Sequence, residues 1–359
     1  MMTDGIWKSE ERAQFALRSL YHRYGYAPYK MSHFEEYDLY VRNKDFLVSD
    51  QIITFSGAGG QLLALKPDVT LSIVKNAPQT PGVVQKVYYS ENVYRDYREI
   101  MQTGLECVGD LGEYEMAEVV LLAVKSLALL DGRYVLNLSH MGLIAAVFNG
   151  SGLTGQVKRQ AMDCLRRKNA HEMKTLCGGQ EETWKKLEAL VSCRGSGREV
   201  LGQLSRVLTA DAERQALAEL ESLWGILEGA GQAEHVRLDF SVGSDLRYYS
   251  GVVFRGYLEG IPASILSGGQ YDKLPQKMGR KSRAIGFAIY LDLLQERGQD
   301  DSAYDLDTLI LHDGSVDTGV LARVAEEAAK EGSVLVSRTE PQGRNWKKLV
   351  RYEKGELVP

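Results

Sequence analysis

Several stretches of this chain carry polar side chains at spacings suited to holding a small ligand. In LALKPDVTLSIVK, residues 63–75, a strand ends at Lys66-Pro67, and Asp68 and Thr70 follow two apart. A carboxylate beside a hydroxyl can receive an ammonium group, which needs several acceptors. Asp68 could equally cap a helix N-terminus, and spacing leaves both readings open. In YRDYREIMQTGLE, Arg95 precedes Gln102 and Glu106. The latter two lie an even number apart on an expected strand and so share one face. Arginine suits a carboxylate or phosphate, and a Glu-Gln pair suits an ammonium or imidazole. A solvated strand face is the competing reading. LRYYSGVVF adds Tyr248 and Tyr249, and SGGQYD adds Gly268, Gly269, Tyr271 and Asp272. Glycines there allow close approach of backbone to a ligand or a neighbouring strand, while paired tyrosines also fit a core.

Two further stretches invite a nucleotide. GAGG at 57–60 lacks the G-x-x-x-x-G-K-[ST] spacing and precedes a strand instead of a helix, so a hairpin turn is expected. RAIGFAIYLDLL at 283–294 reads as the start of a buried, Gly-bearing helix facing something flat. A nucleotide held there needs a nearby cation, yet the run ends in Tyr290, Asp292, Leu293 and Leu294.

The elements positioning these residues follow from periodicity. Residues 7–24 have helical spacing closed by Gly25. YGYAPYKMSHFEEYDLY is expected to be extended, and ITFSGAGGQLLALKP to form two strands around a Gly-rich turn. VVQKVYYSENVYRDY and IMQTGLECVGDL form a second strand pair. EMAEVVLLAVKSLALLDG is an amphipathic helix ending at Gly132, RYVLNLSH a strand, and Ser139 a candidate cap for a helix near Met141. Residues 151–230 show successive helical patterns without strand signals. HVRLDFS, YYSGVVFRGYL and PASILSGG return to strands. From 306 a strand, the helix LARVAEEAAKEG and further strands make a small tail, short for a robust core of its own. The pattern predicts an α+β fold: an antiparallel sheet flanked by helices from residues 1–150 and 231–300, a helical insertion at 151–230, and a small α/β segment at 301–359.

Composition narrows the function. The 359 residues carry 43 Lys plus Arg against 48 Asp plus Glu, a net charge of −5 that offers no global attraction to nucleic acid. The Met-Met-Thr-Asp-Gly start has no export-signal progression, and no run approaches the roughly 20 apolar residues of a membrane helix. Cys107, Cys164, Cys177 and Cys193 are scattered without C-x-x-C spacing, and the six histidines form no H-E-x-x-H pair. A cytoplasmic chain without metal or cofactor is expected.

In this order the pieces resemble the catalytic core of class II histidyl-tRNA synthetases over residues 10–295. The family patterns RPEGT, FR…Q-x-G-x-E, RGLDYY-x-G-x-x-F, GGRYD and AxGFAxGxER correspond to KPDVT (66–70), YR (94–95), QTGLE (102–106), SDLRYYSGVVF (244–254), GGQYD (268–272) and AIGFAIYLDL (284–293). The resemblance implies a dimer through YGYAPYKMSHFEE. It also implies a histidine pocket of Asp68, Thr70, Arg95, Gln102, Glu106, Tyr248, Tyr249 and Tyr271. Asp68, Thr70 and Glu106 would take ammonium and imidazole, and Arg95 the carboxylate. Gln102 and the tyrosines would orient the ring.

The departures fall on the cations of amino-acid activation. Asp292-Leu293 stands for the last Glu-Arg, Ser244 and Arg247 stand for the Arg and Asp of RGLDYY, and the loop after Arg95 is shorter. Leu and Ser cannot stabilise charge developing at an α-phosphate, so activation of an amino acid should be lost. The tail also has no full-length counterpart of an anticodon-binding domain, so no tRNA partner is expected. This combination resembles the regulatory subunit of short-form ATP phosphoribosyltransferase, as does RRKNAHEM in the insertion, similar to that group's K-[DN]-x-x-E pattern. The resemblance implies a non-catalytic chain that joins a short catalytic chain in a hetero-octamer and relays histidine inhibition. Tyrosines between Tyr21 and Tyr40 are a candidate contact surface, as is the insertion. The competing readings are a divergent synthetase or amino-acid-activating ligase, and a free-standing amino-acid sensor.

Overall fold

The structure, a computed structural model, describes residues 8–47, 49, 51–193, 195–242, 248–295 and 304–358. Two units are distinguished, Glu10–Arg297 and the C-terminal Gly298–Pro359 together with the first nine residues.

The larger unit is built on an eight-stranded sheet. From edge to edge its strands are Ala27–Pro28, Val84–Arg95, Arg98–Gly109, Arg283–Tyr290, Leu266–Gln270, Val252–Leu258, Tyr134–His140 and Val236–Leu238. The six central strands pair antiparallel, and only the two edge pairings are parallel. Val84–Arg95 and Arg98–Gly109 form the expected hairpin. Asp96 and Tyr97 make its two-residue turn with φ of 52° and 60°, matching the strand twist as paired left-handed residues do. The GAGG stretch is likewise a turn, joining Thr54–Ser56 to Leu62–Leu65 in a separate three-stranded sheet with Phe34–Glu36.

The sheet separates two cores because its strands alternate. On Arg98–Gly109, Leu105 and Cys107 pack with the helices Ser9–Arg23 and Glu113–Leu130, while Val108 belongs to a smaller cluster on the other side. That smaller cluster includes Tyr40, Val69, Leu71, Ile73 and Tyr271. Between Gly155 and Gly229 every regular element among the described residues is a helix, with Ala161, Leu187, Leu204, Leu220 and Trp224 continuing the larger core.

Several expectations are corrected. RAIGFAIY is a strand, Arg283–Tyr290, and not the start of a helix. It alternates small Ala284, Gly286 and Ala288 with bulky Ile285, Phe287 and Ile289, and the bulky set enters the helical core. A helix begins only at Asp292. YGYAPYKMSHFEEYDLY turns helical at Tyr37–Arg42. Tyr21, Tyr26 and Tyr40 of that region are buried, so they form core and not a contact surface. Ser139 does not cap the helix Met141–Gly150; the next residue does, its His140 Nδ1 accepting from Leu143 N at 3.1 Å. RRKNAHEM, whose family likeness the fold leaves as it was, runs from one helix end through a turn into the next helix. Asn169 Oδ1 accepts from Glu172 N at 3.1 Å to start the helix Ala170–Leu176, and Lys168 pairs with Asp239 at 2.7 Å.

In the smaller unit, Val334–Ser337, Leu306–His312 and Trp346–Glu353 form a parallel sheet, and Glu356–Val358 returns antiparallel. The helix Thr318–Glu331 is capped by Asp317, and Ile310, Val316, Leu321 and Tyr352 make a small core. Among the described residues no helix is long and apolar enough to cross a membrane.

Candidate functional site

The eight residues singled out in the sequence all line one cavity of about 440 Å³ on the side of the sheet away from the large core. Register explains the convergence. Gly286 lies opposite Glu106, and Tyr290 opposite Gln102. Gln102, Gly104 and Glu106 therefore follow one another along one face of their strand, as the even spacing requires. Asp68 and Thr70 come from a different direction. Asp68 Oδ1 accepts from Leu71 N at 2.8 Å, at the start of the helix Thr70–Asn76. Cap and cavity wall, the two readings open from the sequence, are both true of Asp68.

Glu106 gathers hydroxyl donors around it. It is 2 % exposed, and its two oxygens accept from Thr70 Oγ1 at 2.7 Å and from the Tyr271 hydroxyl. Burial pushes its carboxyl up to about 8. The Thr70 and Tyr271 hydrogen bonds oppose that rise, and the Asp68 charge adds to it. Burial likewise raises the Asp68 carboxyl, against the Leu71 amide and the Arg95 charge. Gly286 is what makes room, since a Cβ there would overlap the Glu106 carboxylate and Leu105 O.

The cavity also carries donors. Arg95 is 6 % exposed and Gln102 4 %. Arg95 Nε and Gln102 Nε2 have no hydrogen-bond partner among the described residues. A buried donor without an acceptor costs about 1–3 kcal/mol, so two such donors beside one cavity mark a place for an acceptor that arrives with a ligand.

Aromatic rings enclose the cavity. Tyr248 packs edge-on to Tyr249 with centroids 4.7 Å apart, and tilted against Tyr271 at 5.9 Å and Phe46 at 5.7 Å. Burial holds the Tyr248 and Tyr271 hydroxyls well above the ordinary tyrosine range, so both are neutral donors. Tyr271 spends its proton on Glu106 instead of facing a ligand ring freely.

The sequence reading missed Tyr89, Arg255, Ser267 and Tyr290, which also line the cavity. Arg255 and Ser267 are cross-strand partners, and alternation from Val253 would have placed Arg255 on this face. Tyr290 was hidden by reading its strand as helix. Lys66, the first residue of KPDVT, does not line the cavity; it is buried in an ion pair with Glu91. Leu293 lies on the short helix Asp292–Gln295 and is packed against the large core. Ser244 and Arg247 lie outside the described residues.

An antiparallel sheet carrying a polar cavity on one face and helices on the other defines a synthetase-like α+β fold. The profile of the histidyl-tRNA synthetase family matches residues 4–294, and the chain belongs to that family. Within it, the chain is similar to the ATP phosphoribosyltransferase regulatory subunit of Geobacter metallireducens, with 31% identity over 70% of this chain and 62% of the relative. The chain thus spans less than two thirds of that relative's length. Among solved structures, a Bacillus halodurans protein described as an ATP phosphoribosyltransferase regulatory subunit/histidyl-tRNA synthetase superposes with a TM-score of 0.75. The identity is 22%, over 96% of this chain and 94% of that one. A chain of the ATP phosphoribosyl transferase (HisG:HisZ) complex of Thermotoga maritima superposes with a TM-score of 0.59 at 17% identity, covering 77% and 96%.

Proposed function

We propose that this chain is a non-catalytic regulatory subunit of a short-form ATP phosphoribosyltransferase. It activates a separate catalytic chain and carries histidine feedback through the cavity. The observation that carries the ligand reading is the mixed lining of the cavity. Acceptors Asp68 and Glu106 share it with the unpartnered donors Arg95 Nε and Gln102 Nε2. A free amino acid matches both at once, its cationic groups facing the carboxylates and its carboxylate facing the donors. The regulatory reading rests on the names of the relatives and on what the end of the strand lacks. Where activation of an amino acid needs a fixed cation, the chain has Leu293. Binding can regulate only if histidine favours one arrangement of the complex over another.

The chain dimerises within a cytoplasmic hetero-octamer on this reading. Exposed Phe34, Val41, Phe55 and Leu62 support a self-contact beside the three-stranded sheet, and four unpaired cysteines suit a reducing compartment. The alternative is a divergent histidyl-tRNA synthetase or amino-acid-activating ligase on the same fold. The test measures ATP phosphoribosyl transfer by the short catalytic chain with and without this protein, then with added histidine. Activity that rises with this chain and falls with histidine supports the proposal. An unchanged rate, with ATP–pyrophosphate exchange by this chain alone, favours the alternative.

A further inference from the structure

The sheet has a second cavity on its other face. It measures about 180 Å³ and lies between strand ends and the helices Glu113–Leu130 and Asp211–Gly229. His140, Val252, Gln270 and Arg283, which line it, are each the first or last residue of a strand. Val252 lines this cavity and Val253 the first one, as neighbours along a strand point to opposite faces. At about 30 Å³ per water molecule, the space would hold roughly six. That is room for one small ring system and too little for a whole nucleotide. Met116, Leu223 and Ile226 make its walls apolar.

Most polar groups in the wall have partners within the chain. Ser222 Oγ donates to Glu113 Oε2 at 3.3 Å, Gln270 Nε2 to Asp272 Oδ2 at 2.6 Å, and Arg283 Nη1 to Leu111 O at 3.0 Å. His140 is different. Its Nδ1 receives Leu143 N, so the neutral ring carries its proton on Nε2. The residue is 2 % exposed, and Nε2 has no hydrogen-bond partner among the described residues. Glu219 Oε2 comes within 3.3 Å but out of line for a hydrogen bond, on a side chain 54 % exposed. The imidazole is seated on Gly142, where a Cβ would come within 3.0 Å of His140 Cε1. A buried donor and an acceptor therefore stand side by side in an apolar-walled cavity. Adenine offers the complementary edge, a ring-nitrogen acceptor beside an amino N–H donor, and bases are read by such edges between apolar side chains. We propose that this second cavity binds an amino-bearing nucleobase such as adenine. His140 Nε2 donates to a ring nitrogen, and the amino group donates to Glu219. The inference is independent of the amino-acid reading of the first cavity.

The probe is adenine, titrated calorimetrically into the full-length protein. His140→Asn keeps a side-chain oxygen for Leu143 N while withdrawing the Nε2 donor. Glu219→Ala withdraws the acceptor from a half-exposed position. Each should weaken adenine binding at least about tenfold, the scale of one hydrogen bond lost to a buried or charged partner. Adenine with a dimethylated amino group, which keeps the ring and lacks the N–H, should bind the parent at least about tenfold more weakly on the same ground. No adenine binding by the parent, unchanged binding in either variant, or equal binding of the dimethylated base overturns the assignment. An equal loss in Glu106→Gln would place adenine in the first cavity and overturn it as well. Should His140→Asn unfold, Glu219→Ala and the dimethylated base decide the question.

Discussion

Replacing Glu106 by Gln probes the buried carboxyl at which the cavity's hydrogen bonds converge. The carboxyl moves from an ordinary 4.5 to about 8 because burial costs its charged form more than Thr70 and Tyr271 return. At about 1.4 kcal/mol per tenfold, that displacement corresponds to up to about 5 kcal/mol between folded and unfolded chains. The sign follows from proton binding. Between pH 4.5 and about 8 the folded chain keeps this proton and the unfolded chain has lost it. The stabilisation is therefore fully present below pH 4.5 and is lost as pH rises toward 8. Urea denaturation of the ligand-free protein across this range should show falling stability, and Glu106→Gln should remove most of the slope. A ligand cation reverses the preference by favouring the carboxylate. Histidine binding at pH 7 should then release nearly one proton, read as a dependence of calorimetric heat on buffer ionisation enthalpy. In Glu106→Gln that release should vanish, and affinity should fall by about 2 kcal/mol or more, about thirtyfold. Proton release that is absent from the parent chain, or unchanged in the variant, refutes the assignment of Glu106 as the cation's partner.

Two further substitutions separate site from scaffold. Gly286→Ala puts a methyl group against the Glu106 carboxylate and Leu105 O, and should cost about 1–3 kcal/mol in denaturation while abolishing histidine binding. Normal binding in a stable Gly286→Ala chain would mean that Glu106 need not sit where it does. His140→Ala removes the cap that receives Leu143 N, and should lower stability by about 1 kcal/mol while histidine affinity measured by calorimetry stays unchanged.

How far the sequence reached can be judged residue by residue. Period-two spacing was enough to put Gln102 and Glu106 on one face, because a strand offers only two faces and the hairpin turn at Asp96-Tyr97 fixed its direction. Spacing was not enough for Arg283–Tyr290. Both faces of that strand carry apolar residues, so the alternation there is one of size and not of polarity, and it imitates a buried helix. Tyr21, Tyr26 and Tyr40 misled for a related reason. Composition marks them as interface-like, but whether an aromatic ring faces a partner or a core depends on what packs over it, and Ser126 receives Tyr21 in the interior.

By itself the sequence determined most of the inventory: most strands and helices in their order, eight of the side chains lining the cavity, and the absence of an arginine at Leu293. These are local properties, set by periodicity and by the chemistry of single residues. The tertiary structure decided the rest. Pairing of distant strands set Gly286 opposite Glu106, brought Tyr271 to the same carboxylate, and left Arg95 and Gln102 with buried donors unspent. Burial depends on neighbours far apart in the chain, and here it turns an ordinary glutamate into one that holds its proton near neutral pH.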